Sequence, residues 1–378
     1  MRLSSLHVDP VTSTPTKKTL ELLKKKKTEI LKYAFAQLPH GSHTELKKQL
    51  SAYKNIPHLC IVGLGGSSLG TKMLFQALDT QEVTFLDNVD PFFVRQQLAQ
   101  LKKRSKETLF LCISKSGETI EVTSLFHILW KQFGSSSQFM IITDEPGSTL
   151  GKLAAQYALP VFTSPHDVPG RFSILSSVGI IPALLKKINV IELLEGAQNA
   201  SYDIAARIAA HQYTHAISGR RIIPVFTYAQ RLSSFVDWYI QLLAESIGKT
   251  TEIGFTPLKA MGVKDQHAQL QLFLDGPDDK FTIFIKPIPD EPSIPVPTKN
   301  YSLNELFQYE YEGVVSAFKK RKRPCVEIAL TTMNAKELGE LILTVELSVA
   351  CLGILYGIDF QNQPAVELSK NVTKKMLR

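Results

Sequence analysis

A carboxylate, Glu245, falls on the apolar side of a helical run, Phe235-Val-Asp-Trp-Tyr-Ile-Gln-Leu-Leu-Ala-Glu-Ser-Ile-Gly-Lys249. Phe235, Trp238, Leu242 and Glu245 recur at helical spacing, and Gly248 is placed to end the helix. Burial and the negative pole of the helix both disfavour the charge of such an acid. That is the setting of a carboxylate that takes a proton and gives it back. The competing reading is a helix-end glutamate that bends out to water.

Two loops are suited to holding an anion. Ser114-Lys-Ser-Gly-Glu-Thr119 follows an apolar strand and opens a helix. Its hydroxyls Ser114, Ser116 and Thr119, with Lys115 and a flexible glycine, gather where free backbone amides leave a helix N-terminus. A plain N-cap needs one hydroxyl, so the excess points to a phosphate, and nothing beside it suits a triphosphate with magnesium. The other loop, Gly63-Leu-Gly-Gly-Ser-Ser-Leu-Gly70, brings bare backbone and two hydroxyls to the same kind of position. It fails as a dinucleotide fingerprint, because Ser68 stands where glycine or alanine is needed, although Asp87 ends the next strand. It also fails as a Walker loop, since no Gly-Lys-Ser/Thr closes it. A tight strand-to-helix turn is the alternative.

The elements that must position these groups alternate strand and helix. The first fifty residues read as helical. Short apolar strands follow at His58–Val62, Val83–Leu86, Leu109–Ile113 and Phe139–Ile142, then a second set at Ile222–Phe226, Phe281–Ile285 and Val326–Leu330. Such alternation predicts mainly parallel sheets covered by helices, an α/β class of two three-layer α/β/α halves. The domain reading is a helical segment 1–50, an α/β domain 51–195 with the phosphate loop, an α/β domain 196–345 with Glu245, and a helical arm 346–378. Pro165 to Arg171 and Glu192 to Ala210 form the join, and Pro287 to Pro297 reads as a surface loop.

Composition narrows the function classes. The 378 residues are 44% hydrophobic and 21% charged, which is globular and not disordered. Cys60, Cys112, Cys325 and Cys351 are scattered without a Cys-x-x-Cys pair, which suits reduced core residues in the cytoplasm. The first residues lack the apolar core of a signal peptide, and Leu338 to Tyr356, carrying Glu340 and Glu346, reads as a buried helix and not a membrane span. Much of the net charge of +8 sits at Lys24 to Lys27, Lys319 to Arg323, and Lys374 to Arg378. No aromatic interleaving or zinc spacing accompanies these clusters, so they read as solvated faces and not as a nucleic-acid surface.

Six segments in order resemble the glucose-6-phosphate isomerase family in its short bacterial form. They are Gly63–Gly70, Ser114–Glu121, Gly170–Gly179, Gln241–Lys249, Asp265–Leu272 and Gln363–Lys370. The resemblance implies two sugar-isomerase α/β/α domains, a cytoplasmic homodimer, an active site between the domains, and neither metal nor organic cofactor. It implies interconversion of glucose 6-phosphate and fructose 6-phosphate, in glycolysis and gluconeogenesis. By position, Ser114, Lys115, Ser116 and Thr119 match the family's phosphate loop, Gly66 and Ser67 its sugar contacts, and Gln241 and Gln363 further substrate-binding positions. Glu245 matches the general base of a cis-enediol mechanism, and Arg171 the cation beside the enediolate. His267, which the family supplies from the partner subunit, and Lys370 match the groups that open the sugar ring.

Taken alone, Arg171 would be a surface arginine in a turn, His267 a packed histidine beside Leu270 and Leu274, and Lys370 a solvated lysine. The chain departs from the family at Val122, Pro169, Pro364 and Ser369, none of which removes a reacting group. The alternatives are an isomerase of mannose 6-phosphate or an aminosugar phosphate, and a non-catalytic sugar-phosphate sensor. A sensor would need the phosphate seat but not Glu245, His267 and Lys370 together.

Overall fold

The computed structural model describes residues 7–10, 15, 17–53, 56–286 and 292–377. Among the described residues ten strands form two five-stranded sheets, one in each of two compact units. One unit is built from Tyr33–Gln198 and Asn334–Gly339 and carries the loops Gly63–Gly70 and Ser114–Thr119. The other is built from the segment that ends at Lys32, Asn199–Met333 and the segment that starts at Glu340, and it carries Glu245. The chain crosses from one unit to the other at Gln198–Asn199, between the helices Val190–Gln198 and Tyr202–Ile217.

The strands are β1 (His7–Pro10), β2 (His58–Val62), β3 (Val83–Leu86), β4 (Thr108–Ile113), β5 (Gln138–Thr143), β6 (Val161–Thr163), β7 (Ile222–Thr227), β8 (Thr256–Met261), β9 (Thr282–Ile285) and β10 (Cys325–Ala329). In the glycine-loop unit the order is β3-β2-β4-β5-β6, parallel throughout. Strands β2 and β4 are buried at every residue, as a sheet covered on both faces requires. One face packs Cys60, Val62, Phe110, Cys112, Phe139 and Ile141 against the helix Ile120–Phe133 and its neighbours. His58 bridges three strands here, its two ring nitrogens 3.0 Å from the hydroxyls of Thr108 and Thr84. Burial first, and then the charge of Arg104, push its pKa down to about 4, so a neutral ring makes the bridge.

In the Glu245 unit the order is β1-β10-β9-β7-β8. All pairings are parallel except β1 with β10, where His7 stands opposite Ala329. The first fifty residues are therefore not wholly helical, because β1 precedes the helix Lys17–Ile30. His-Val-Asp-Pro is too short to announce a strand, and the free edge of β10 supplies the pairing. Strands β6 and β8 also escape the sequence reading. β6 has three residues, while Pro257 and Lys259 interrupt the apolar pattern of β8, which its place at the sheet edge tolerates.

The basic clusters are solvated or internally paired. Lys24, Lys25 and Lys27 are exposed. Arg323 donates to the carbonyls of Leu274 and Gly276 at 2.7 Å, capping the helix Leu270–Asp275, and shares Asp278 with Arg220. Arg378 and residues 287–291 of the proline-rich stretch lie outside the described residues; 292–297 are irregular in structure. All four cysteines are buried free thiols.

The apolar helix Ala335–Tyr356 is a buried helix, as its glutamates suggested. Within it Glu346 is fully buried, and neither carboxylate oxygen has a hydrogen-bond partner among the described residues. Burial raises its pKa well above the ordinary carboxylate value of 4.5. A raised folded-state pKa gives stability that is complete below the unfolded-state value and is lost as pH rises toward the folded-state value. Glu346→Leu is therefore expected to stabilise the chain at neutral pH by about 1–3 kcal/mol and to flatten the decline of stability above about pH 4.5. Urea unfolding of both proteins at several pH values measures this, and an unchanged pH slope in the variant would refute it.

Candidate functional site

In the glycine-loop unit, β4 ends at Ile113 and delivers Ser114-Lys-Ser-Gly-Glu-Thr119 to the helix Ile120–Phe133. Thr119 occupies the N-cap position but makes no side-chain cap bond. Its hydroxyl instead accepts from Ser114 Oγ at 2.8 Å, while Ser116 Oγ is exposed and accepts from the Glu118 amide at 3.3 Å. A plain capping turn does not describe this arrangement. The loop backbone is fastened from behind: Lys115 O accepts from Asp144 N at 3.0 Å and Thr143 Oγ1 at 3.1 Å, and Gly117 O accepts from Leu150 N at 3.0 Å. Gly117 has φ +63°, and a Cβ there would lie 1.9 Å from Ser148 Oγ, so only glycine fits. The ammonium of Lys115 donates to the carbonyl of His166 at 2.7 Å.

The other loop follows β2 and tightens into a 3₁₀ turn at Gly65–Ser67 before the helix Leu69–Ala77. Gly66 lies against the turn Gly170–Phe172. A Cβ on Gly66 would lie 2.2 Å from the Gly170 carbonyl carbon and 2.7 Å from Arg171 N. The missing side chain is thus what lets the two turns meet. Arg171 is 2% exposed, with its guanidinium 5.7 Å from the Phe172 ring centroid, so it is not a surface arginine. Ser67 is half-buried at the same turn. Asp87, the acid the dinucleotide reading required, is held by Lys72 at 2.9 Å.

In the Glu245 unit the helix Ser233–Ile247 buries Phe235, Trp238 and Leu242, the face the spacing predicted, and Gly248 follows as the C-cap. Glu245 is half-buried on that side and does not simply bend out to water. Its Oε2 accepts from Gln241 Nε2 at 2.9 Å, one turn earlier. At the helix end Lys249 donates to the Glu245 carbonyl at 2.9 Å and to the carbonyl of Asn362. A cation on the last carbonyls opposes the negative pole of the helix, and it ties that end to the segment bearing the half-buried Gln363. Asp237 on the same helix pairs with Lys259 of β8 at 2.7 Å.

His267 follows β8 on the short helix Lys264–Ala268. The helix is fixed by Asp265, which accepts from Met261 N at 2.6 Å, and by Gln266, which donates to Glu310 at 2.8 Å. The His267 side chain is exposed, not packed as its spacing with Leu270 and Leu274 would have it. Lys370 lies on the exposed helix Ala365–Met376 and pairs with Glu367 at 2.7 Å.

The predicted residues thus form two groups. Gly66, Ser67, Ser114, Lys115, Ser116, Thr119 and Arg171 belong to the glycine-loop unit, and Gln241, Glu245, His267, Gln363 and Lys370 to the other. The sequence reading gave no role to Lys249 or to Glu118, whose carboxylate reaches Thr149. A lysine four residues after a helical glutamate was the available signal for the first; the second is a long-range contact that no spacing announces.

Comparison with known proteins shows what the chain is similar to. A sequence model of the family described as phosphoglucose isomerase matches residues 45–277. The chain is 35% identical to the glucose-6-phosphate isomerase of Campylobacter jejuni, over 85% of this chain and 86% of that protein. It is 34% identical to a probable glucose-6-phosphate isomerase of Haloarcula marismortui, over 84% of this chain and 77% of that one. Its fold is similar to the crystal structure of a glucose-6-phosphate isomerase from Chlamydia trachomatis, with a TM-score of 0.84 at 18% identity, over 100% of this chain and 89% of that one.

Proposed function

Since the chain belongs to the phosphoglucose isomerase family, we propose that it is an aldose–ketose isomerase interconverting glucose 6-phosphate and fructose 6-phosphate. The observation that carries the reading is the half-buried Glu245 carboxylate, oriented by Gln241 at 2.9 Å on a helix that buries Phe235, Trp238 and Leu242.

In this reading Ser114, Lys115, Ser116 and Thr119 hold the phosphate, and Gly66, Ser67, Gln241 and Gln363 bind the sugar. Ring opening moves the proton of the C1 hydroxyl to the ring oxygen, and His267 and Lys370 are the pair that accepts the one and supplies the other. Glu245 then takes the proton from C2 of the open aldose. The electron pair left behind forms the enediol double bond, and charge passes to the C1 oxygen. After a proton exchanges between the two oxygens, Glu245 returns its proton to C1 and the ketose results. Carbon-bound hydrogen is a weak acid, so the enediolate needs a fixed opposite charge. A buried guanidinium such as Arg171 supplies one that water does not screen. The reading includes a cytoplasmic homodimer in which the partner subunit delivers its His267, and a place in glycolysis and gluconeogenesis.

A coupled assay for glucose 6-phosphate formed from fructose 6-phosphate tests it. Turnover of at least about 1 per second is expected. Tight binding of the sugar phosphate without any product would overturn it in favour of a sensor.

A further inference from the structure

We propose that Glu118 is a positioning residue of the Ser114–Thr119 loop, its carboxylate clasped by Thr149 so that its charge is kept away from the phosphate; the inference rests on reading that loop as the phosphate seat. A carboxylate inside an anion-binding loop is a liability, because it repels a dianion at close range. The structure places Glu118 where that charge is favourable. Its Oε1 accepts from the Thr149 amide at 2.6 Å, and its Oε2 accepts from Thr149 Oγ1 at 2.9 Å. Thr149 is the first residue of the helix Thr149–Gln156, so the carboxylate lies on the positive end of that helix.

The clasp is not an ordinary cap. Ser148 already serves as the N-cap, its Oγ accepting from Gly151 N at 3.2 Å. Glu118 comes from another loop and satisfies a second free amide. It also completes the fastening of its own loop. Lys115 O and Gly117 O are held by Asp144, Thr143 and Leu150, and Glu118 adds the side-chain attachment on the same side. What remains exposed is the Ser116 hydroxyl, while the buried Ser114 hydroxyl donates to the half-buried Thr119. Loss of the clasp releases a mobile negative charge next to those donors. The substrate phosphate must then bind against it, while the reacting carbons, handled by other residues, are unaffected once substrate is bound.

The test is steady-state kinetics with fructose 6-phosphate and inhibition by inorganic phosphate, on the full chain. Thr149→Val keeps the shape and the backbone amide and removes the hydroxyl donor, which loosens the clasp by one of its two bonds. It is expected to raise KM and the inhibition constant of phosphate about three- to tenfold with kcat within about twofold, the size of an exposed charge-assisted hydrogen bond. Adding Glu118→Gln to Thr149→Val removes the loosened charge and should bring both constants back toward wild type. A merely structural role predicts no such rescue and a parallel fall in kcat and thermal stability, and that pattern would overturn the proposal. Ser116→Ala separates the two readings. If it raises KM and Thr149→Val does not, the clasp is wrong and the phosphate seat stands. If neither variant changes KM or phosphate inhibition, the seat is wrong and the clasp falls with it.

Discussion

Glu245→Gln is expected to lower kcat by about a hundred- to ten-thousand-fold while leaving KM for fructose 6-phosphate within a few-fold of wild type. Glutamine keeps the size of the side chain and still offers a carbonyl oxygen to Gln241 Nε2, which lies 2.9 Å from Oε2 in the native chain. It cannot take a proton from carbon. The helix should also stand, since Phe235, Trp238 and Leu242 are buried beside it and Lys249 secures its end. The loss should therefore appear in the bound chemistry and not in folding or affinity. Circular dichroism and urea unfolding supply the control, and a variant with undiminished kcat would remove Glu245 from the reaction.

Gly66→Ala should be nearly as damaging for a different reason. The added methyl would lie 2.2 Å from the Gly170 carbonyl carbon, 2.4 Å from its oxygen and 2.7 Å from Arg171 N. These are backbone atoms that cannot rotate aside, so the Gly170–Phe172 turn must move, and Arg171 with it. Overpacking of this kind costs about 1–3 kcal/mol of stability. Displacing a fixed charge by about 1 Å from a developing enediolate costs on the order of a hundredfold in rate. Gly147→Ala is the matched control, since a Cβ there meets nothing within 4 Å. Steady-state kinetics on both variants decide the matter. Wild-type kcat/KM in Gly66→Ala would separate the close approach of the two turns from catalysis.

Much of the fold was legible because buried parallel strands are short apolar runs, and β2, β3, β4, β5, β7, β9 and β10 all announce themselves in that way. The three that did not are the ones whose identity is conferred by a neighbour. β1 exists because β10 offers an unpaired edge, β8 carries Pro257 and Lys259 at the opposite edge, and β6 is three residues long. The two glycine- and hydroxyl-rich loops were legible in composition, since those residues cluster at two strand-to-helix turns. What holds those loops was not. Gly117 against Ser148, Gly66 against Gly170 and Glu118 on Thr149 join residues far apart in sequence. Burial was misjudged from spacing alone in two places. Arg171 sits in a turn yet is enclosed, and His267 stands at helical spacing from leucines yet is exposed. A turn does not reveal what packs over it, and a helix of five residues is too short for its spacing to fix an inward face.

The central claim is that a proton leaves the sugar carbon, rests on Glu245 and returns to the adjacent carbon. Its most direct test is the isomerisation of fructose 6-phosphate in deuterium oxide, followed by NMR of the glucose 6-phosphate formed after many turnovers. A proton held on a carboxylate exchanges with solvent. Deuterium is therefore predicted at C2 of the product with the wild-type chain, and its rate of appearance should fall with kcat in Glu245→Gln. Full conversion with no deuterium at C2 would mean that hydrogen passes directly between the carbons, and would contradict the account.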